Sequence, residues 1–230
     1  MKLYISQAVI ILDLDRQRYI KYYISYGHAL SDHIFKKIII FGSKTFFMLA
    51  FLSRLILRMM GWKITSVIPP GTKKCVIAVA PHTSYWDFVI GRLAYWLLGV
   101  KASFLIKKEL FRFPFKGPLI RMGGIPVDRG RSSRMIAQVV EKFDNSESLF
   151  IVITPEGTRK PVKQWKKGFY YIASQARVPI ALGYLDYAKK EGGVGKVIFP
   201  DGDMEKQMKE IMEFYRDMTP KYPERFNRNF

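Results

Sequence analysis

The residues with the most chemistry to offer lie in Pro81-His-Thr-Ser-Tyr-Trp-Asp87, where an imidazole and a carboxylate stand five positions apart. The histidine follows the apolar, strand-like run Cys75-Val-Ile-Ala-Val-Ala80. In α/β folds the ends of strands are where loops meet substrate. Asp87, in the first turn of the apolar run that follows, can reach back to orient the ring of His82. Such a pair is a general base with its orienting acid, a triad without its nucleophile, and the nucleophile would then be a hydroxyl of the substrate. The same residues also spell a capping box, with Ser84 at the N-cap and Asp87 three positions on, which by itself only starts a helix. The two readings coexist if a capping carboxylate leaves one oxygen for other use.

Two further loops carry polar groups after strand-like runs. In Gly123-Gly-Ile-Pro-Val-Asp-Arg129 two glycines allow a close backbone approach and Arg129 follows a short strand; a plain turn with a solvated basic end would look the same. In Thr154-Pro-Glu-Gly-Thr-Arg159, straight after Leu149-Phe-Ile-Val-Ile153, one tight loop projects Glu156, Thr158 and Arg159. A guanidinium there suits bidentate binding of a phosphate. The competing reading is a simple β-to-α connection with Gly157 in a strained turn.

The elements that must position these loops alternate along the chain. Strand candidates are 75–80, 103–107, 125–128, 149–153, 180–186 and 194–199; helix candidates are 86–98, 132–143, 165–177 and 203–217. The alternation predicts an α/β domain, with a largely parallel or mixed sheet flanked by helices. At 230 residues, with 49% hydrophobic and 15% aromatic content, the chain can bury one self-standing core and is not a disordered sequence. The expected divisions are an N-terminal extension 1–33, an amphipathic helical segment 34–62, the main domain 63–218 and a tail 219–230. Pro220 and Pro223 predict a frayed tail. The only cysteine, Cys75, sits in an apolar run and behaves as a small hydrophobe. His28 and His33 have no other ligand in metal spacing, so no metal site is assigned.

Charge distribution narrows the partner. The formal charge is +19, and between His33 and Val127 there are fifteen Lys and Arg but only two acids, Asp87 and Glu109. Such asymmetry predicts an anionic partner. On a helical projection of residues 34–60, Lys36, Lys37, Lys44, Arg54 and Arg58 fall within an arc of roughly 100°, and the remaining face is almost wholly apolar. That is the pattern of a helix lying in a bilayer interface with its cations at the headgroups. Lys44 interrupts the run before it reaches the ~20 apolar residues of a spanning helix. Nucleic acid is disfavoured, because the cations interleave with Phe, Leu, Ile and Met and no binding motif is present. The expected location is the cytoplasmic face of the cell membrane, as a peripheral or monotopic protein.

Taken in order, the loops resemble those of the glycerolipid acyltransferases of the lysophosphatidate acyltransferase type. His82-Thr-Ser-Tyr-Trp-Asp87 is similar to that family's His-x4-Asp block, and Gly124-Ile-Pro-Val-Asp-Arg129 resembles its second block. Pro155-Glu-Gly-Thr-Arg159 matches its third, and Val178-Pro-Ile180 resembles its fourth. Pro81, Pro126, Thr154 and Ala181-Leu-Gly183 depart from the usual pattern, which leaves acceptor and donor specificity open. The resemblance covers roughly residues 60–200. It implies a glycerol-3-phosphate acyltransferase-like fold and transfer of a fatty acyl group from acyl-CoA or acyl-carrier protein to a lysophospholipid hydroxyl. It implies no tightly bound cofactor and no acyl-enzyme. His82 and Asp87 would be catalytic. Arg129, Arg159 and Lys107 would hold the acceptor phosphate, while Glu156, Gly157 and Thr158 position substrate. Val178, Pro179 and Ile180 would border the acyl donor. Lysophosphatidate is the first acceptor to expect and another lyso-lipid, such as a lyso-aminolipid, the second. A non-catalytic membrane-surface module would have no need of His82.

Overall fold

The computed structural model describes residues 11–13, 18–20, 47–66, 68–128 and 132–228. The chain forms two compact units, Met1–Thr45 and Phe46–Phe230. In the first, β1 (Ile11–Asp13) and β2 (Arg18–Ile20) pair antiparallel, with Ile11 opposite Ile20. Lys36, Lys37 and Lys44 lie outside the described residues.

In the second unit, seven strands among the described residues form one mixed sheet. They are β3 (Lys63–Ser66), β4 (Lys74–Val79), β5 (Ala102–Lys107), β6 (Gly124–Val127), β7 (Leu149–Ile153), β8 (Ile180–Asp186) and β9 (Glu191–Ile198). The order is β3-β9-β8-β4-β7-β5-β6. From β8 through β6 every neighbouring pair is parallel. β9 turns back antiparallel on β8, and β3 runs parallel to β9. β4 and β7 are central and covered on both faces, which is why they read as unbroken apolar runs rather than as alternating ones.

Helices cover both faces. On one lie α1 (residues 47–59) and α2 (Tyr85–Leu97). On the other lie α4 (Ser132–Asp144), α5 (Gly168–Gln175) and α6 (Met204–Arg216). The short α3 (Lys116–Arg121) follows β5. Alternate residues of β4 feed the two layers. Val76, Ala78 and Ala80 join the large cluster with Phe143, Phe169, Ile172, Ile211 and Tyr215. Cys75 and Ile77 join Tyr95 and Ala102 on the α2 side. Cys75 is fully buried, and burial pushes its thiol up to about 12.

α1 uses its surface in three ways. Ser53 and Leu57 are buried, Leu57 against Trp62, Ile90, Leu93 and Leu185. Phe51, Leu55 and Met59 point outward and are 66%, 47% and 79% exposed. Arg54 and Arg58 form an exposed edge between the two. Over residues 47–59 one stripe of the apolar face therefore packs on the helix's own domain, and the rest of it points outward.

β3, a short and mostly exposed strand that the sequence pattern did not signal, is held by a close approach. Gly193 has φ +147, and a Cβ there would lie 1.7 Å from the Thr65 carbonyl oxygen. Only glycine lets β9 run this near to β3. At the far edge, β6 carries Pro126 opposite Ile106 of β5.

The tail corrects the expectation of fraying. Phe226 is buried in the large cluster, and the Tyr187 N–H donates to the Thr219 carbonyl at 2.8 Å. Pro223 opens a short 3₁₀ turn, Pro223–Arg225, and neither proline prevents docking.

Candidate active site

β4 and β7 are adjacent and parallel, and the helices that follow them lie on opposite faces of the sheet. The loops leaving their C-terminal ends therefore diverge, and the crevice between diverging loops is where open α/β sheets bind ligands. The His82 loop leaves β4 and the Glu156 loop leaves β7.

His82 Nδ1 lies 3.2 Å from Asp87 Oδ2. The same Oδ2 accepts from the backbone N–H of Thr83 at 2.8 Å and of Ser84 at 2.9 Å. Ser84 is the N-cap of α2, its hydroxyl accepts from the Trp86 N–H, and the capping box is complete. One carboxylate oxygen thus serves both the cap and the histidine, rather than one oxygen each. The other oxygen, Oδ1, accepts from the Tyr187 hydroxyl at 2.7 Å. Burial pushes the Asp87 carboxyl up, but the hydrogen bonds from His82, Tyr187 and Ser84 outweigh it and the net shift is downward. An ionised Asp87 fixes Nδ1 as the protonated nitrogen, which leaves Nε2 as the basic one.

Tyr187 was not foreseen. It sits one residue past β8, a hundred positions from Asp87, and sequence spacing gives no hint of the pairing. Its ring packs edge-on against Trp62 with centroids 5.0 Å apart. The turn carrying it is pinned by Asp186, whose Oδ1 accepts from the Ala188 and Lys189 N–H groups. Lys190 Nζ, in the same turn, donates to the Met60 carbonyl just past α1.

Glu156 is 4% exposed, and its Oε2 accepts from the His82 backbone N–H at 2.7 Å. It pins the main chain of the histidine from the neighbouring strand. Burial raises its carboxyl to about 8, against the lowering effect of that hydrogen bond. Gly157 closes a turn, its N–H donating to the Thr154 carbonyl at 3.0 Å with φ +66. That N–H is consumed within the turn. Thr158 is exposed, and its Oγ1 accepts from the Lys160 N–H.

Arg159 stacks its guanidinium 3.9 Å from the centroid of the Tyr85 ring. Its Nε is buried without a hydrogen-bond partner. A buried unpaired guanidinium donor is costly. Lys166, not singled out in the sequence, lies over Gly157, where a Cβ would meet its Nζ at 3.0 Å. Lys107 ends β5 and is exposed, whereas its neighbour Lys108 pairs with Asp128 at 2.7 Å. Arg129 lies outside the described residues.

His82, Asp87, Gly157, Arg159 and Lys166 all line one cavity of about 330 Å³. Its remaining wall is mostly apolar and includes Phe88, Tyr95, Phe104 and Val152. The size falls within the range of small-molecule sites. Val178, Pro179 and Ile180 are not brought there. Ile180 pairs with Val76 in the first half of β4, six positions before His82 and away from the C-terminal end of the strand. Val178 and Ile180 are buried in the large cluster. At the start of β8 their apolar side chains fill the core, away from this cavity.

The tail completes the site from outside. The Tyr222 N–H donates to Thr83 Oγ1, Arg225 reaches the Thr83 carbonyl, and Lys221 lies over the Trp86 ring.

Comparison with known proteins bears on this geometry. The family model described as Acyltransferase matches residues 63–182. A 1-acyl-sn-glycerol-3-phosphate acyltransferase of Cocos nucifera is 32% identical over 110 residues, covering 45% of this chain and 35% of the relative. The match thus spans about a third of that protein's length. The crystal structure of the 1-acyl-sn-glycerophosphate (LPA) acyltransferase PlsC of Thermotoga maritima superposes with a TM-score of 0.51 at 20% identity. That superposition covers 74% of this chain and 76% of that one, and at this identity it is a likeness of fold.

Proposed function

Since this chain belongs to the acyltransferase family, we propose that it moves a fatty acyl group from an acyl thioester to the free hydroxyl of 1-acyl-glycerol-3-phosphate, giving phosphatidate. The observation that carries the reading is the His82–Asp87 pair, 3.2 Å apart, in the wall of a largely apolar cavity that also takes in Arg159.

His82 Nε2 accepts the proton of the acceptor hydroxyl as that oxygen attacks the thioester carbonyl carbon. Asp87 carries the compensating charge for the imidazolium. When the tetrahedral intermediate collapses, the C–S bond breaks and the imidazolium returns the proton to the leaving thiolate. The acyl group passes directly between substrates, so no residue of the chain is acylated. The apolar wall around Phe88, Tyr95 and Phe104 suits a hydrocarbon chain. Arg159 and Lys166, both on the cavity wall, suit the acceptor phosphate. Arg129 is assigned the same role on its motif position alone. The donor is acyl-CoA or acyl-carrier protein.

Both substrates are lipids or lipid-bearing, and no helix among the described residues is long and apolar enough to cross a membrane. We place the protein on the cytoplasmic face of an anionic membrane, with Arg54, Arg58 and the outward apolar residues of α1 at the lipid.

The test is turnover by purified protein given acyl-CoA or acyl-carrier protein and a panel of lyso-lipid acceptors. Lysophosphatidate should be preferred, and His82→Ala should lower the rate by about 10²–10⁴-fold. Undiminished turnover by that variant would sink the mechanism. Preference for an acceptor without a phosphate monoester would sink the assignment of Arg159.

A further inference from the structure

The segment between β5 and β6 carries a group of exposed apolar residues that the catalytic reading does not use. Leu110 is 55% exposed, Phe113 96%, Phe115 64% and Ile120 54%. Isolated exposed apolar residues are ordinary, but four large ones within eleven positions are not.

The exposure does not come from a loose loop. A 3₁₀ turn spans Lys108–Leu110, and α3 spans Lys116–Arg121. Between them Phe111, Phe115 and Lys116 donate backbone hydrogen bonds to the carbonyls of Lys108, Arg112 and Arg112. The base is clamped to the sheet. A Cβ on Gly124 of β6 would meet the Leu119 carbonyl oxygen at 2.7 Å and the Phe111 ring at 3.2 Å. Lys108 is tied to Asp128 beyond β6. A secured base therefore presents Phe113 and Phe115 outward on purpose-built geometry, and neither lines the cavity of the active site.

Charge decides the occupant. Lys107, Arg112, Lys116 and Arg121 lie in the same stretch of chain with Glu109 as the one acid within it, while Lys108 is paired with Asp128. A second copy of this chain would bring the same cations within a Debye length of about 8 Å and be repelled. An anionic bilayer is attracted by the cations and receives the apolar tips without needing a matching pocket. Position agrees. The segment leaves the C-terminal end of β5, and β5 is two strand spacings from β4 in the order β4-β7-β5. It therefore rises about 10 Å to one side of the His82 loop, at the same end of the sheet.

We propose that residues 108–122 form a second membrane contact, separate in sequence from α1, which inserts Phe113 and Phe115 among the lipids of an anionic surface beside the active site. Its partner follows from the reading of the protein as a lipid acyltransferase. Contact through α1 alone leaves the domain free to pivot about one helix. Two contacts fix which way the cavity faces.

The test uses the buried Cys75, which leaves introduced cysteines as the reactive ones. The full-length chain carrying Phe113→Cys is labelled with an environment-sensitive fluorophore, and Glu147→Cys, exposed before β7 at the opposite end of the sheet, serves as the reference. With vesicles of phosphatidylcholine and phosphatidylglycerol, the label at 113 should shift to the blue and be quenched by lipids carrying a spin label in the acyl chain. The label at 147 should not change. Leu110→Ser/Phe113→Ser/Phe115→Ser should weaken vesicle sedimentation by at least ~tenfold, the effect of withdrawing even one well-buried side chain. An unquenched label at 113 on sedimented protein would overturn the proposal, as would failure of the wild-type chain to sediment. A blue shift that follows protein concentration without vesicles, or one produced by an acidic carrier protein alone, would assign the surface to another occupant and overturn it too. Turnover in detergent micelles separates this inference from the catalytic one. The triple variant should keep the wild-type rate there, since none of its positions touches the cavity. Absence of turnover in the wild type, with quenching intact, would reject the acyltransfer reading and leave the surface standing.

Discussion

Tyr187 holds the oxygen of Asp87 that neither the helix cap nor the histidine uses. Its hydroxyl touches no reacting atom, so its effect passes through the orientation of Asp87 and from there to His82. Tyr187→Phe keeps the ring against Trp62 and removes only the hydroxyl. Steady-state kinetics should show kcat lower by about tenfold with KM unchanged, as for other partners of a catalytic group; a change in KM alone would argue for a substrate contact instead. Glu156 gives a prediction in pH. Its native carboxyl is raised from 4.5 to about 8. The native state therefore holds this proton more tightly than the unfolded chain. The associated stability is complete below about pH 4.5 and drains away as the pH rises toward 8. Glu156→Gln keeps an acceptor for the His82 N–H and removes the titration. Melting curves should find the variant gaining on the wild type between pH 5 and pH 8; parallel curves across that window would refute the buried-proton account. The site was legible in the sequence to the extent that it sits on strand-end loops, because a polar residue after an apolar run advertises itself. Tyr187 and Lys166 were not legible, since each acquires its role by folding onto a loop distant in the chain.

Elements show the same division. The central strands and the long helices announce themselves through apolar runs and periodicity. β3 does not, having four mostly exposed residues and a partner strand far along the sequence. α3 is hidden by Pro114, Gly117 and Pro118, which spell a loop and yet lie in or beside a helical turn. The tail is docked rather than frayed because proline content says nothing of where Phe226 can be buried. Phe226→Ala should cost roughly 3 kcal/mol in chemical denaturation, the lower range for a buried phenylalanine. The same variant should lose turnover before it loses the fold, since residues 219–226 also brace Thr83. Gly193→Ala forces a methyl group onto the Thr65 carbonyl. Limited proteolysis should then cut near residues 63–72, where β3 has been released from β9; unchanged resistance would mean that the backbone had absorbed the contact.

At the scale of the whole molecule, the excess of cations is not spread evenly but concentrated in the half that holds α1 and the His82 loop. Binding to phosphatidylglycerol-containing vesicles should weaken steeply as salt rises from 50 to 500 mM, while binding that survives high salt measures the apolar part. Insensitivity to salt would leave the charge of +19 without a role at the membrane. A molecule that displays this much apolar surface must also avoid polymerising through the margins of its sheet. Among the described residues the margins of the seven-stranded sheet are β3, four residues long, and β6, also four residues long and carrying Pro126. Pro126 has no N–H to offer a further strand, so a neighbour arriving there would find an interrupted ladder. Pro126 thereby blunts an edge, and the stickiness of the chain is left to fluid lipid rather than to ribbons of itself.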